Sequence, residues 1–181
     1  MSLDVAARPR SRTLGWIVRG GVVLGLVAMW GYVLYLAFGP GRQPPIDRLD
    51  DPAFASAAEE RCADALAEVA RLPFANTLDN GSERADVVNK ANNILGAMLD
   101  DLDGMADLAP AGDQRNRADE WLTDWRTLLG DRREYASALR NDSNASLYIS
   151  EKTNTGQHVT GWIDEFAKAN RMPSCVTPGD V

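Results

Sequence analysis

Histidine and cysteine are scarce in this sequence, which has one His and two Cys in 181 residues. That leaves no Cys/His set for a zinc cage and allows at most one disulfide. The chain also lacks an HExxH helix, a GxSxG elbow and a glycine-lysine phosphate loop, so common metallohydrolase, serine-hydrolase and nucleotide chemistries have no carrier. Positive charge is short as well. Residues 1–39 hold four of the 19 basic residues and one of the 26 acidic ones, leaving 15 against 25 and a net charge of −10 beyond residue 39. That sign argues against nucleic acid or an anionic membrane surface as a partner. No cofactor is indicated.

Charge is missing altogether from Gly20 to Gly39, the twenty residues GGVVLGLVAMWGYVLYLAFG. At about 1.5 Å per residue such a helix spans roughly 30 Å, the thickness of a bilayer's hydrocarbon core. Arg8, Arg10, Arg12 and Arg19 precede or open it, whereas Arg42 and Arg48 beyond it are balanced by Asp47, Asp50 and Asp51. By the positive-inside rule the N-terminus stays in the cytoplasm. Trp16 at one end and Tyr32 and Tyr35 toward the other suit the two interfacial belts. The expected organisation is a cytoplasmic tail over 1–13, a transmembrane helix over 14–39, a Pro-rich spacer over 40–50 and an extracytoplasmic helical domain over 51–181. The expected location is the cytoplasmic membrane, with the lipid bilayer as one partner. A cleaved signal peptide competes with this reading, but its apolar region is shorter, and Pro40 follows the best small-residue site, Ala37-Phe38-Gly39. Gly21 and Gly25 make one GxxxG, a spacing that lets two membrane helices pack closely, so a homodimer is an open alternative.

The outer domain reads as mainly α: an antiparallel three- to four-helix bundle, with a small β-hairpin as an added option. Asp51-Pro52 supplies an N-cap and a first-turn proline for a helix ending near Leu72. Its apolar side gathers Phe54, Ala58, Cys62, Ala65, Leu66 and Val69. After the polar turn Asn76–Ser82, a second helix over 83–108 carries a stripe through Val87, Val88, Ala91, Ile94, Leu95, Met98, Leu99, Leu102 and Met105. A third, over 113–139, collects Ala118, Trp121, Leu122, Trp125, Leu128, Leu129, Tyr135, Ala136 and Leu139, with Gly130 on the opposite side as a possible kink point. LYIS at 147–150 and QHVT at 157–160 alternate like a hairpin, and a short last helix over 161–170 presents Trp162, Ile163 and Phe166. Cys62 and Cys175 are expected to form a disulfide that ties the tail to the first helix of the domain, in keeping with an oxidising compartment.

Each residue with chemical potential also has a plainer reading. His158 reads as a surface residue of the proposed hairpin. Asp100, Asp101, Asp103 and Gly104 resemble a calcium loop, but Pro110 stands where an EF-hand needs Glu, and the run lies inside a helical stripe. Trp121 and Trp125, four apart in an apolar stripe, read first as core. Arg132 falls near the centre of that stripe and needs a carboxylate or carbonyl partners if buried. Together Arg132, Trp121 and Trp125 are the candidate polar and aromatic pocket. Asn80, Asn141 and Asn144 each begin an Asn-x-Ser sequon, relevant only in a cell that glycosylates.

WLTDWRTLLGDRREYASAL from Trp121 and IDEFAKANRMPSCVTPGDV from Ile163 resemble segments of uncharacterised single-pass envelope proteins of actinobacteria. The resemblance implies a bacterial cytoplasmic membrane and an external helical domain, and carries no activity with it. The leading expectation is therefore a non-enzymatic interaction or accessory protein that docks onto an envelope protein. A ligand-binding or sensory module is second, weakened by a cytoplasmic tail too short for an output domain, and an enzyme of unrecognised type is third.

Overall fold

The computed structural model describes residues 12–38, 45–153 and 155–180. The chain divides into two compact units, 1–44 and 45–181.

In the first unit a single helix, α1, runs from Arg12 to Phe38. Its segment Arg19–Leu36 is long and apolar enough to cross a membrane, and none of that segment is buried. Beyond Phe38, Gly39 and the spacer positions 40–44 lie outside the described residues, as does most of the N-terminal tail.

The second unit is a helical bundle of α2 (Ala53–Val69), α3 (Gly81–Gly104), α4 (Asp113–Leu139) and α5 (Val159–Ala169), with 3₁₀ turns at 75–77, 106–108 and 173–175. It starts before α2, because Leu49 is buried in the core and Asn170 holds the segment from both sides. The Leu49 amide donates to Asn170 Oδ1 at 2.8 Å, and Asn170 Nδ2 donates to the Asp47 carbonyl at 2.9 Å. Pro52, not Asp51, is the N-cap residue of α2, and Asp51, one residue earlier, accepts from the Ala53 amide at 2.8 Å through Oδ1. Asn80 is the N-cap of α3, accepting from the Ser82 and Glu83 amides at 2.8 and 3.2 Å. α3 therefore begins two residues before the sequence reading. It also ends earlier, at Gly104, and a 3₁₀ turn replaces its last part.

α3 lies along α4, α4 against α5, and α2 against α3 and the 173–175 turn. Phe54, Ala58, Cys62, Ala65 and Val69 from α2, Leu95, Met98 and Leu102 from α3, and Trp121, Leu122 and Trp125 from α4 fill one core, closed by Ile163 and Phe166 of α5. A smaller cluster at the other end joins Ala75, Ala85, Val88, Tyr135, Ala136 and Leu139. Cys62 and Cys175 form a disulfide across 113 residues of sequence, with Cα atoms 5.2 Å apart.

The proposed hairpin is reduced to a short turn in which the Lys152 amide donates to the Gln157 carbonyl at 2.8 Å and the Val159 amide to the Ser150 carbonyl at 2.9 Å. Among the described residues there are no strands, only one antiparallel bridge between Glu151 and His158. QHVT fails as a strand because Val159 and Thr160 already belong to α5. Val159, Ile163, Phe166 and Ala167 are all buried, and that helical stripe outweighs a four-residue alternation. The would-be first strand runs across α4 instead, where Asp131 accepts from both the amide and the hydroxyl of Ser150 at 2.8 and 2.7 Å. Gly130 lies within α4, which continues through it to Leu139.

Candidate functional site

Between the two apolar clusters lies a buried polar layer. Asn92 follows Val88 by one helical turn on α3, and Arg132 precedes Ala136 by one turn on α4, so antiparallel packing sets them face to face. Arg132 is 2% exposed and Asn92 1%. Arg132 Nε donates to Asn92 Oδ1 at 2.8 Å, while Nη1 and Nη2 donate to the two carboxylate oxygens of Asp180 at 2.9 and 2.7 Å. The result is a bidentate guanidinium–carboxylate pair, the geometry that best offsets burial of a charge. Asn92 offered a sequence signal, as a polar residue inside the α3 stripe opposite Arg132. Asp180, in an irregular tail, offered none.

Asp180 also borders a cleft of about 340 Å³ that is lined mainly by apolar side chains, among them Leu66, Val69, Leu72, Phe74 and Val87. Phe74 is unusually open for its size, at 62% exposure. The tail forms one wall of this cleft through Pro178 and Gly179. It is fixed upstream by the disulfide, by Glu59 accepting from the Ser174 amide at 2.9 Å, and by Asp164 accepting from the Thr177 amide at 2.8 Å.

The tryptophans are core residues. Trp121 stacks on Phe166 with ring centroids 5.2 Å apart, meets the edge of Phe54 at 6.1 Å, and donates Nε1–H to the Ile163 carbonyl at 3.2 Å. Trp125 is equally buried, and its indole N–H has no protein partner. Trp121 also borders a second, small cavity of about 50 Å³, together with Arg117, Asp124, Lys152 and Trp162. Neither cavity joins Arg132, Trp121 and Trp125 into the single pocket considered from sequence.

At the small cavity Lys152 Nζ bonds Asp124 at 2.7 Å and Glu120 at 2.8 Å, and lies 4.8 Å from the centre of the Trp162 ring. Burial pushes the Asp124 carboxyl above its ordinary value, and the hydrogen bond and charge of Lys152 only partly oppose this. Burial is also the largest single influence on Lys152 and pulls its amine down. The hydrogen bonds that Lys152 donates to Asp124 and Glu120, with their charges, together outweigh burial, so the net shift is upward. The two directions are compatible, because the Asp124 side chain is the more enclosed of the two, at 11% exposure against 20%. Asp124 and Lys152 were missed in the sequence: Asp124 falls within the apolar face of α4, and Lys152 comes from the misread hairpin.

The remaining candidates are isolated from one another. His158 is exposed at the start of α5, its Nδ1 3.0 Å from the Ile149 carbonyl, so that nitrogen carries the proton. Asp101 pairs with Arg61 at 2.6 Å and Asp103 with Arg126, both on the surface. Among the described residues no three His, Cys, Asp or Glu side chains are placed to hold a metal ion. A Cβ added at Gly21 or Gly25 of α1 would meet no atom within 4 Å.

Comparison with models of protein families, with curated proteins and with solved structures returns no match.

Proposed function

We propose that this chain is a single-pass protein of a bacterial cytoplasmic membrane, with its helical domain on the outer face serving as a docking module for another envelope protein. The apolar span of α1 carries this reading, since Arg19–Leu36 is long and apolar enough to cross a bilayer. The arginines before the span favour a cytoplasmic N-terminus. A disulfide in the domain favours an oxidising compartment for the other end. The resemblance to actinobacterial envelope proteins points the same way. Mild crosslinking in intact cells followed by pulldown is expected to return a defined second envelope protein; recovery of the chain alone, or of cytoplasmic proteins, would contradict it.

Ligand binding within the bundle is the second reading. It is favoured by the apolar cleft beside the Arg132–Asp180 pair rather than by the tryptophans.

A further inference from the structure

The polar layer and the cleft beside it meet at one residue, Asp180, which borders the cleft and fills the guanidinium fork of Arg132. We infer that they form a binding site for an alkyl monocarboxylate, a fatty-acid-like ligand, and that Asp180 is the chain's own occupant of its carboxylate end. This deepens the second reading above and does not depend on which side of a membrane the domain occupies.

Arg132 has the features of a carboxylate receptor. It is 98% enclosed, its Nε is fixed by Asn92, and its two remaining nitrogens form a planar fork that matches any carboxylate, side chain or ligand. Asn92 adds a second sign. Its Oδ1 must face the Arg132 Nε–H, which fixes the amide orientation, and the Nδ2 group on the other side has no hydrogen-bond partner in the protein. A buried donor without an acceptor is uncommon and calls for one. Asp180 satisfies the guanidinium and leaves this donor unmet.

The apolar half of the site is the cleft walled by Leu66, Val69, Leu72, Phe74 and Val87. Its volume, about 340 Å³, falls at the lower end of the range for small-molecule pockets, roughly 300–1,000 Å³. Exchanging one carboxylate for another leaves the charge balance at Arg132 unchanged, so burial of the alkyl chain supplies the net gain. Displacing Asp180 moves the end of the tail with it, including Pro178 and Gly179, which wall one side of the cleft. Cys175 is bonded to Cys62 and the Thr177 amide to Asp164, so the bundle and the tail as far as Thr177 stay in place while the last residues lift. Self-occupancy lowers the apparent affinity by the fraction of time the fork is free.

The test uses the full-length protein in lipid nanodiscs and decanoate carrying a terminal diazirine, with photolabelled peptides mapped by mass spectrometry. Saturable labelling is expected in the segments containing Leu66–Phe74 and Val87. Half-saturation should shift about tenfold or more lower in Asp180→Asn, where the resident carboxylate is gone. Labelling should be lost in Arg132→Met. It should also be lost in Val87→Trp, which fills the cleft without touching the ion pair and decides the matter if Arg132→Met does not fold. Three results would each overturn the proposal: no cleft labelling in wild type and Asp180→Asn alike; equal labelling by the matching diazirine alcohol, which marks simple partitioning of an alkyl chain; or an unchanged half-saturation in Asp180→Asn.

Discussion

Replacing Asp180 with asparagine keeps the shape of the side chain and removes the charge that Arg132 holds. Exposed ion pairs contribute about 0–1 kcal/mol, whereas breaking a fully buried pair costs about 3–5 kcal/mol because the remaining charge is stranded. Arg132 is at the buried limit with 2% of its side chain exposed, but Asp180 keeps 17%, so water can reach the vacated side. The expected loss is therefore about 2–3 kcal/mol, below the fully buried figure. A unit of this length, residues 45–181, loses about 3–5 °C in Tm per kcal/mol, which predicts a fall of roughly 6–15 °C. Urea unfolding of the oxidised protein gives the free energy directly. Asp86→Asn provides the internal control: its pair with Arg140 is 2.7 Å long, but its side chains are 59% and 47% exposed, so its loss should stay under about 1 kcal/mol. If Asp180→Asn cost no more than Asp86→Asn, the polar layer would not be the closed, charge-bearing element described above.

Other perturbations test separate parts of the fold. Cys62→Ala with Cys175→Ala opens a loop spanning 113 residues of sequence, and denaturant unfolding should show a loss of about 4–5 kcal/mol by loop entropy. Gly81→Ala would normally help a helix by up to about 1 kcal/mol. Here the new Cβ would meet the Leu139 carbonyl oxygen at 2.4 Å and Ser143 Cα at 3.0 Å, so a net loss of about 1–3 kcal/mol is expected in the same assay. Asn80→Ala removes the acceptor for two amides at the start of α3 and should cost about 1 kcal/mol, read as a lowered urea midpoint. Lys152 has a raised pKa in the fold, so its contribution is complete below about pH 10.4 and is lost as pH rises through the raised value. The stability difference between wild type and Lys152→Met should therefore shrink on the alkaline side of that point. A difference that held constant to pH 12 would contradict the assignment. The raised Asp124 carboxyl acts at the other end of the scale, its contribution being present in acid and lost as pH rises through its own raised pKa.

The helices were legible wherever an apolar stripe ran for several turns and a capping residue marked its start. α4 shows this most clearly: its bounds, Asp113–Leu139, and its buried face through Trp121, Trp125, Leu128 and Leu139 follow from spacing alone. Arg132 could be flagged because a guanidinium in such a stripe needs a partner, but not the partner itself. Asp180 reaches it through the path of a tail with no periodicity, and such paths are set by tertiary packing. The segment at 147–160 misled because alternation over four residues is a weak signal. Asp131 capture of Ser150 and the apolar face of α5 decide its conformation instead. The apolar cleft was invisible for a related reason, since it is formed where the end of α2, the Pro73–Phe74 turn and the tail converge.

The placement of the domain is tested most directly with reporter cysteines, because Cys62 and Cys175 are fully buried as well as bonded and respond poorly to surface reagents. Ser2→Cys and, separately, Glu165→Cys on the exposed side of α5 would be treated with an impermeant maleimide in intact cells and after permeabilisation. Glu165→Cys is expected to be labelled in intact cells, and Ser2→Cys only once the membrane is opened. Labelling of Ser2→Cys in intact cells with Glu165→Cys protected would reverse the topology and contradict this placement.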